Sequence, residues 1–171
     1  MENDLITNKV ASSGLVTIDL EEWYGTEPRS VLYIKDFLYE ELILREKDFR
    51  EQLKTTDWSA YTNHHVTLDN TADAIVPTWA YMLLTIALQP YATSVQVGTL
   101  TSIEEAIFLR KLQALNIAEY AGKRIVIKGC GDKNIPLIAY TELVCLLTPV
   151  AKSIMYGEPC STVPLFKNTT I

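Results

Sequence analysis

The chain has 171 residues, of which 48% are hydrophobic, a composition typical of a globular protein that can bury a sizeable core. Fifteen Lys and Arg residues against 21 Asp and Glu residues give a net charge of −6, so the chain lacks the basic surface that nucleic-acid phosphates require. The longest apolar stretch, Ala80 to Leu88, is too short for a bilayer span of about 20 residues.

The first sixty residues contain signals for two strands and one helix. Residues 14–19 alternate apolar and polar side chains as a strand does, residues 30–34 form a second candidate strand, and residues 36–53 indicate a mostly helical segment. We expect this region to add edge strands and a covering helix to the same sheet as the segments that follow.

The start of the chain indicates a cytoplasmic protein. Residues 1–5 are acidic and are not followed by the apolar segment of a secretory signal. The three cysteines, an odd number in a reducing compartment, argue against a disulfide framework. We therefore expect a cytoplasmic protein with free thiols.

An internal repeat is the strongest signal in the sequence. Shifting the chain by 59 positions aligns residues 66–98 with residues 125–157 without a gap, and ten of the 33 aligned positions are identical. Chance gives about two identities at one offset, so duplication is the better explanation. Each copy reads as strand, loop, helix, strand, which predicts a βαβ unit with parallel strands and a right-handed crossover.

The sequence thus predicts an α/β fold, a layered sheet with helices built on two tandem βαβ repeats plus an N-terminal strand and helix segment. The expected single domain, 1–171, comprises N-terminal strands and helix (1–60), a first repeat (65–98), a linking helix (102–115), a second repeat (124–157), and a C-terminal loop and tail (158–171).

Ligand-binding loops are expected where the parallel strands end, beside the helix N-termini. The duplication predicts two such edges: rim one, residues 69–76 with 99–101, and rim two, residues 128–135 with 158–161. Rim two has cysteines at positions 130 and 160, where rim one has threonines.

Rim two is a candidate zinc site. Cys130 lies in a glycine-flanked loop before a predicted helix, where the helix dipole lowers a thiol pKa, and Cys160 follows the second strand of the same repeat. With Glu158, two thiolates and a carboxylate match the donor atoms that zinc prefers. Two alternatives stay open, namely a reactive thiol without metal and a pair of inert buried thiols.

Four polar residues are candidates for contact with a small anionic or polar ligand. They are Asp132, Lys128 and Ser161 at rim two and Asp73 at rim one. Asp73 and Asp132 occupy matched positions before a helix proline, where an Asx turn or cap is the structural alternative.

Other chemistry-bearing residues favour structural roles. His64 and His65 are potential metal ligands, although solvated histidines are the favoured interpretation. Trp58 and Tyr61 are typical of aromatics that cap a core, and Cys145 lies among apolar helix residues and is expected in the core.

Three segments resemble a bacterial, Bacteroidetes-type family of unknown function, DUF2480. They are residues 42–50, 73–82 and 152–165, within a similarity that runs from about Asn8 to Lys167. The resemblance includes the segments around Cys130 and Cys160, and it implies no established activity, so it leaves open whether the protein is an enzyme.

Two functions are consistent with these observations. The first is a thiolate, metal or small-ligand site at the carboxyl-terminal rim of the second repeat. The alternative is a non-enzymatic regulatory or protein-interaction module without a cofactor, using the duplicated surface or the Trp58 region. A homodimer through an uncovered sheet edge is compatible with either function.

Overall fold

The computed structural model describes residues 14–69, 71, 73–129, 131–158 and 161–169. The chain divides into two compact units, where the sequence analysis treated it as a single domain. The central unit is Thr26–Ile107, and the terminal unit combines Met1–Gly25 with Phe108–Ile171. The central unit is thus formed by one continuous segment, and the terminal unit is formed by the segments on either side of it.

The central unit contains a three-stranded parallel sheet in the order β2-β3-β4. Its elements in chain order are β2 (Arg29–Tyr33), α1 (Glu46–Thr55), β3 (His65–Asp69), α2 (Thr78–Leu88) and β4 (Ser94–Val97). Strands β3 and β4 are adjacent and parallel and are joined by α2, so the βαβ prediction for the first repeat is confirmed.

The terminal unit contains a four-stranded sheet in the order β1-β5-β6-β7. Its elements are β1 (Leu15–Asp19), β5 (Arg124–Lys128), α4 (Leu137–Leu147), β6 (Ser153–Glu158) and β7 (Ser161–Lys167). Strands β5 and β6 are adjacent and parallel and are joined by α4, so the second βαβ prediction is also confirmed. Strand β7 pairs with β6 in antiparallel orientation.

Matching apolar stripes hold the two crossover helices in place. The fully buried residues are Ala80, Leu84 and Leu88 in α2, and Ala139, Leu143 and Leu147 in α4. A spacing of four residues places each set on one helix face. Each stripe belongs to the core of its own unit. Pro77 and Pro136 lie one residue before their helices, as helix-initiating prolines can.

The duplication extends further upstream than the sequence alignment indicated. Helix α3 (Leu100–Gln113) begins in the central unit and ends in the terminal unit. Its Phe108 lies 59 positions after Phe49 of α1, and each of these phenylalanines is fully buried in its own unit. The expected linking helix is therefore present, and its second half is the counterpart of α1.

The N-terminal strands complete the two copies. Strand β1 pairs in parallel with β5, and β2 pairs in parallel with β3. Each is followed by a short 3₁₀ turn, Leu20–Trp23 or Ile34–Phe37, whose first residue is fully buried. Each unit therefore has the order strand, helix, strand, helix, strand, and the central copy is inserted into the terminal copy between β1 and the end of α3.

The structure differs from three expectations about the ends and edges. The predicted N-terminal strands join two different sheets, because each is the first strand of its own copy. Within residues 36–53 the α-helix begins only at Glu46, since Tyr39 and Ile43 form a tight hairpin before that point. The expected tail after residue 158 contains β7, which Pro164 can join because an edge strand tolerates proline.

The expected core position of Cys145 is wrong, because its side chain is exposed. Cys145 lies two residues from both Leu143 and Leu147, which puts it on the opposite face of α4 from the buried stripe. Among the described residues, no helix is long and apolar enough to cross a membrane.

Equivalent leucines in the two copies should contribute similarly to stability. We expect Leu84→Ala and Leu143→Ala each to lower the free energy of unfolding by about 2–5 kcal/mol, because each leaves a cavity in a fully buried stripe. Ile86→Ala and Cys145→Ala, on the exposed faces of the same helices, should each change it by less than about 1 kcal/mol. Urea denaturation measures all four, and a small effect for either leucine would contradict the assignment.

Candidate functional site

Three strand ends of the terminal unit meet at rim two. Strand β1 ends at Asp19, β5 ends at Lys128 and β6 ends at Glu158. The register of the parallel strands places Asp19 directly beside Lys128. The Lys128 Nζ atom lies 3.5 Å from Asp19 Oδ2 and 3.3 Å from Glu158 Oε1. A lysine thus stands between two carboxylates that come from the strands on either side.

This arrangement keeps Lys128 charged. The hydrogen bond to Glu158 and the charge of Glu158, reinforced by Asp19, raise the pKa of Lys128 above its ordinary value. Because an ordinary lysine is already protonated at neutral pH, the Lys128 side chain is an ammonium ion throughout the physiological range. Lys128 therefore acts here as a fixed positive charge and not as a proton acceptor.

Two glycines allow close approach of side chains to the loop after β5. The Tyr140 hydroxyl donates a hydrogen bond of 2.5 Å to the Gly129 carbonyl oxygen, and a Cβ atom at Gly129 would lie 2.2 Å from that hydroxyl. A Cβ atom at Gly131 would lie 2.2 Å from Glu21 Oε1. The loop backbone is thus packed against Tyr140 on one side and against the Glu21 carboxylate on another.

Glu21 is a site residue that the sequence analysis missed. It lies in the 3₁₀ turn after β1, and its backbone N–H donates to Asp19 Oδ1 at 3.0 Å. Its Oε1 atom is buried and has no hydrogen-bond partner among the described residues. A buried carboxylate oxygen without a partner is costly, so it marks a place where a further group would be stabilised.

Together these residues enclose a pocket of about 110 Å³. Its lining residues are Asp19, Glu21, Lys128, Gly129, Gly131 and Glu158. Small-molecule sites in proteins usually occupy about 300–1,000 Å³, whereas a water molecule in the liquid occupies about 30 Å³. The pocket therefore has room for an ion or a few water-sized groups and not for an organic substrate.

The two cysteines predicted as metal ligands, Cys130 and Cys160, lie outside the described residues. The sequence neighbours of Cys130, Gly129 and Gly131, both line the pocket, as does Glu158, two positions before Cys160. Within the described parts of the chain, no three His, Cys, Asp or Glu side chains converge as a metal ion would require.

The other predicted ligand residues occupy different positions. Lys128 lines the pocket, whereas Asp132 is exposed and does not line it. Ser161 is exposed and pairs with Glu158 at the start of β7. Asp73 is exposed and borders a groove of about 530 Å³ in the central unit.

That groove is the rim-one counterpart of the rim-two pocket. Tyr33, Lys35 and Asp69 border it, and they match Asp19, Glu21 and Lys128 in the order of the repeat. Asp69 is 8% exposed and accepts hydrogen bonds from the Thr71 N–H and hydroxyl groups, which forms an Asx turn. The duplication thus places a concavity at both rims, with different side chains in each.

The histidines and aromatic residues have structural partners. His64 Nδ1 lies 2.6 Å from Ser30 Oγ, and His65 Nδ1 lies 2.7 Å from Ser94 Oγ. His65 is 8% exposed, so the expectation of two solvated histidines is wrong for this residue. Trp58 is 8% exposed and its indole N–H donates to the Leu53 carbonyl, consistent with the expected core cap.

Comparison with known protein families shows which family the chain belongs to. Residues 4–168 match the family described as Protein of unknown function (DUF2480), a span that includes both units and both rims. The chain belongs to the DUF2480 family. No curated protein and no solved structure matches it. The expected membership of the DUF2480 family is confirmed, and the rim-two residues lie within the matched span.

Alanine at the two loop glycines should have unequal effects. We expect Gly129→Ala to lower the free energy of unfolding by about 1–3 kcal/mol, because the new methyl group meets the Tyr140 ring as well as its hydroxyl. Gly131→Ala should cost less, since the Glu21 carboxylate is the mobile end of its side chain and can rotate away. Thermal and urea denaturation compare the two variants, and equal losses would contradict this packing.

Proposed function

We propose that rim two of this DUF2480 protein binds a single small cation, with Zn²⁺ held by Cys130, Cys160 and Glu158. The observation that carries the proposal is the buried Glu21 Oε1 atom without a hydrogen-bond partner among the described residues, in a pocket lined by the sequence neighbours of Cys130.

The charge of the pocket favours a cation over an anion. Asp19, Glu21 and Glu158 supply three negative charges and Lys128 supplies one positive charge, which leaves −2. An anionic ligand would have to approach against this balance, whereas a divalent ion would neutralise it. The charge of the pocket therefore favours a cation over the small anionic or polar ligand that the sequence suggested.

The donor chemistry favours zinc among the divalent cations. Two thiolates with one carboxylate are a soft and mixed donor set, which suits Zn²⁺ and does not suit Mg²⁺ or Ca²⁺, both of which prefer oxygen ligands. Glu21 would hold the fourth position directly or through water. Free thiolates of this kind fit the reducing cytoplasm that we propose as the location of the protein.

Lys128 has a defined role in this proposal. Without a metal ion, its ammonium group neutralises Glu158 at 3.3 Å. A metal ion bound by Glu158 would compete with that ammonium group for the same carboxylate oxygens, so Lys128 lowers the metal affinity of the site. Cations that bind thiolates tightly can overcome this competition, whereas cations that need the carboxylate alone cannot.

Metal content tests the proposal directly. Protein purified without chelator should contain about one zinc ion per chain, and the Cys130→Ser, Cys160→Ser double variant should lose it, because sulfur supplies two of the ligands. Cys145→Ser is the matched control, since Cys145 is exposed on α4 and distant in sequence from both loops. Elemental analysis measures the zinc, and equal content in the double variant and the wild type would exclude the site.

Removing the lysine should tighten zinc binding. We expect Lys128→Met to lower the zinc dissociation constant about fivefold, because the substitution removes a positive charge that competes with the metal ion for Glu158. Lys133→Met is the control, because Lys133 neighbours the loop and does not line the pocket. Competition against a chromogenic chelator measures both constants. Unchanged or weaker zinc binding by Lys128→Met would contradict the proposed competition between the ammonium group and the metal ion.

A further inference from the structure

The outer edge of strand β4, in the central unit, supports an inference that is independent of the metal site. In the terminal unit, the last parallel strand, β6, pairs on its outer side with the antiparallel strand β7. In the central unit, the equivalent strand β4 has no such neighbour among the described residues, because the chain enters α3 after Gly98. One copy of the duplicated fold therefore has an antiparallel strand where the other has an open edge.

Edge strands of soluble proteins usually contain features that prevent pairing with another chain, such as charges, prolines and bulges. Strand β7 has Pro164, Lys167 and an irregular register opposite β6. Strand β2 begins with Arg29, directly after a proline, and β1 ends with Asp19.

Strand β4 is protected only by its length of four residues, and it has no charge, proline or bulge. Its four residues, Ser94 to Val97, include neither a charge nor a proline. They are partly exposed, Val97 to 39%, whereas every residue of the neighbouring strand β3 is buried. Of the four edge strands, β4 is thus the one whose sequence leaves it able to pair.

The backbone of β4 presents hydrogen-bonding groups to its outer side. The Gly98 N–H donates to the Leu68 carbonyl oxygen at 2.9 Å, so Gly98 and its alternate residue Gln96 direct their backbone groups toward β3. By the same alternation, the N–H and C=O groups of Val95 and Val97 point away from β3. These are the groups that a strand added to the sheet would bind.

We propose that β4 pairs with β4 of a second copy of this chain, which joins two central sheets into one six-stranded sheet. A two-fold axis perpendicular to the sheet relates a strand to itself in antiparallel orientation, and antiparallel is the orientation that β7 adopts on the equivalent strand β6. The two-fold axis places a second, equally open β4 strand beside the first, so the pairing needs no other protein.

The symmetry also sets the register. Residues that face each other across an antiparallel pair lie on the same side of the sheet, so the two-fold axis lies midway between one residue and the same residue of the second copy. Centring it on Gln96 pairs Val95 of each copy with Val97 of the other and forms four backbone hydrogen bonds. Val97 is 39% exposed, and this pairing covers it with a β-branched neighbour.

Solution mass tests the dimer. The pairing of two four-residue strands is a small interface, so concentrated wild-type protein should sediment near twice 19.3 kDa and dissociate on dilution. Val97→Lys should raise the dissociation constant at least about tenfold. Val163→Lys places the same substitution on a 59% exposed valine of β7 and should leave it unchanged. A single-chain mass for concentrated wild type, or an intact dimer in Val97→Lys, would overturn the proposal.

A second variant tests the register without disrupting it. Two Gln96 residues in a non-hydrogen-bonded pair have Cα atoms about 4.5 Å apart, within the range that a disulfide bond spans. Gln96→Cys should therefore form a covalent dimer on mild oxidation, whereas the wild type, with its three native cysteines, should not. Failure of Gln96→Cys to crosslink overturns the pairing even where Val97→Lys fails to fold.

Discussion

A helix that connects two adjacent parallel strands has to bury one face against them, and this requirement organises both units. In α2 and α4 the requirement is met by the same three residues, an alanine and two leucines spaced four apart. In each helix all three residues are fully buried in the core of its own unit. Because the packing of the stripe against the strands holds both elements in place, the loops at the strand ends can vary in sequence without altering the core.

The parallel arrangement has a direct chemical consequence. It brings the carboxyl ends of β1, β5 and β6 to one edge, and each strand ends in a charged residue there, Asp19, Lys128 or Glu158. Lys128 thereby comes within salt-bridge distance of both Asp19 and Glu158, which are distant from it in sequence. The pocket of the terminal unit is thus a result of strand register, and its small volume follows from the close packing of Glu21 and Tyr140 against the two loop glycines.

The sequence predicted the repeating parts of the fold well and the unique parts poorly. The first residues of α2 and α4 could be read from Pro77 and Pro136, because proline before an apolar stripe is a local signal. The sheet that β1 joins could not, since alternation of Val16 and Ile18 gives the faces of a strand and not its neighbour. Glu21 was missed for a similar reason, because its role depends on contact with Gly131, which is far away in the chain.

The two copies have kept their cores and exchanged the charges at their rims. At one pair of equivalent positions the terminal unit has Glu21 where the central unit has Lys35, and at another it has Lys128 where the central unit has Asp69. A strand end can change sign in this way because its side chain lies outside the buried stripe. The hairpin at Tyr39 to Ile43, next to the central groove, has no counterpart in the short turn after β1. Since shape and charge both differ, a ligand suited to one rim is not suited to the other, and the duplication has produced two distinct concavities instead of one site repeated.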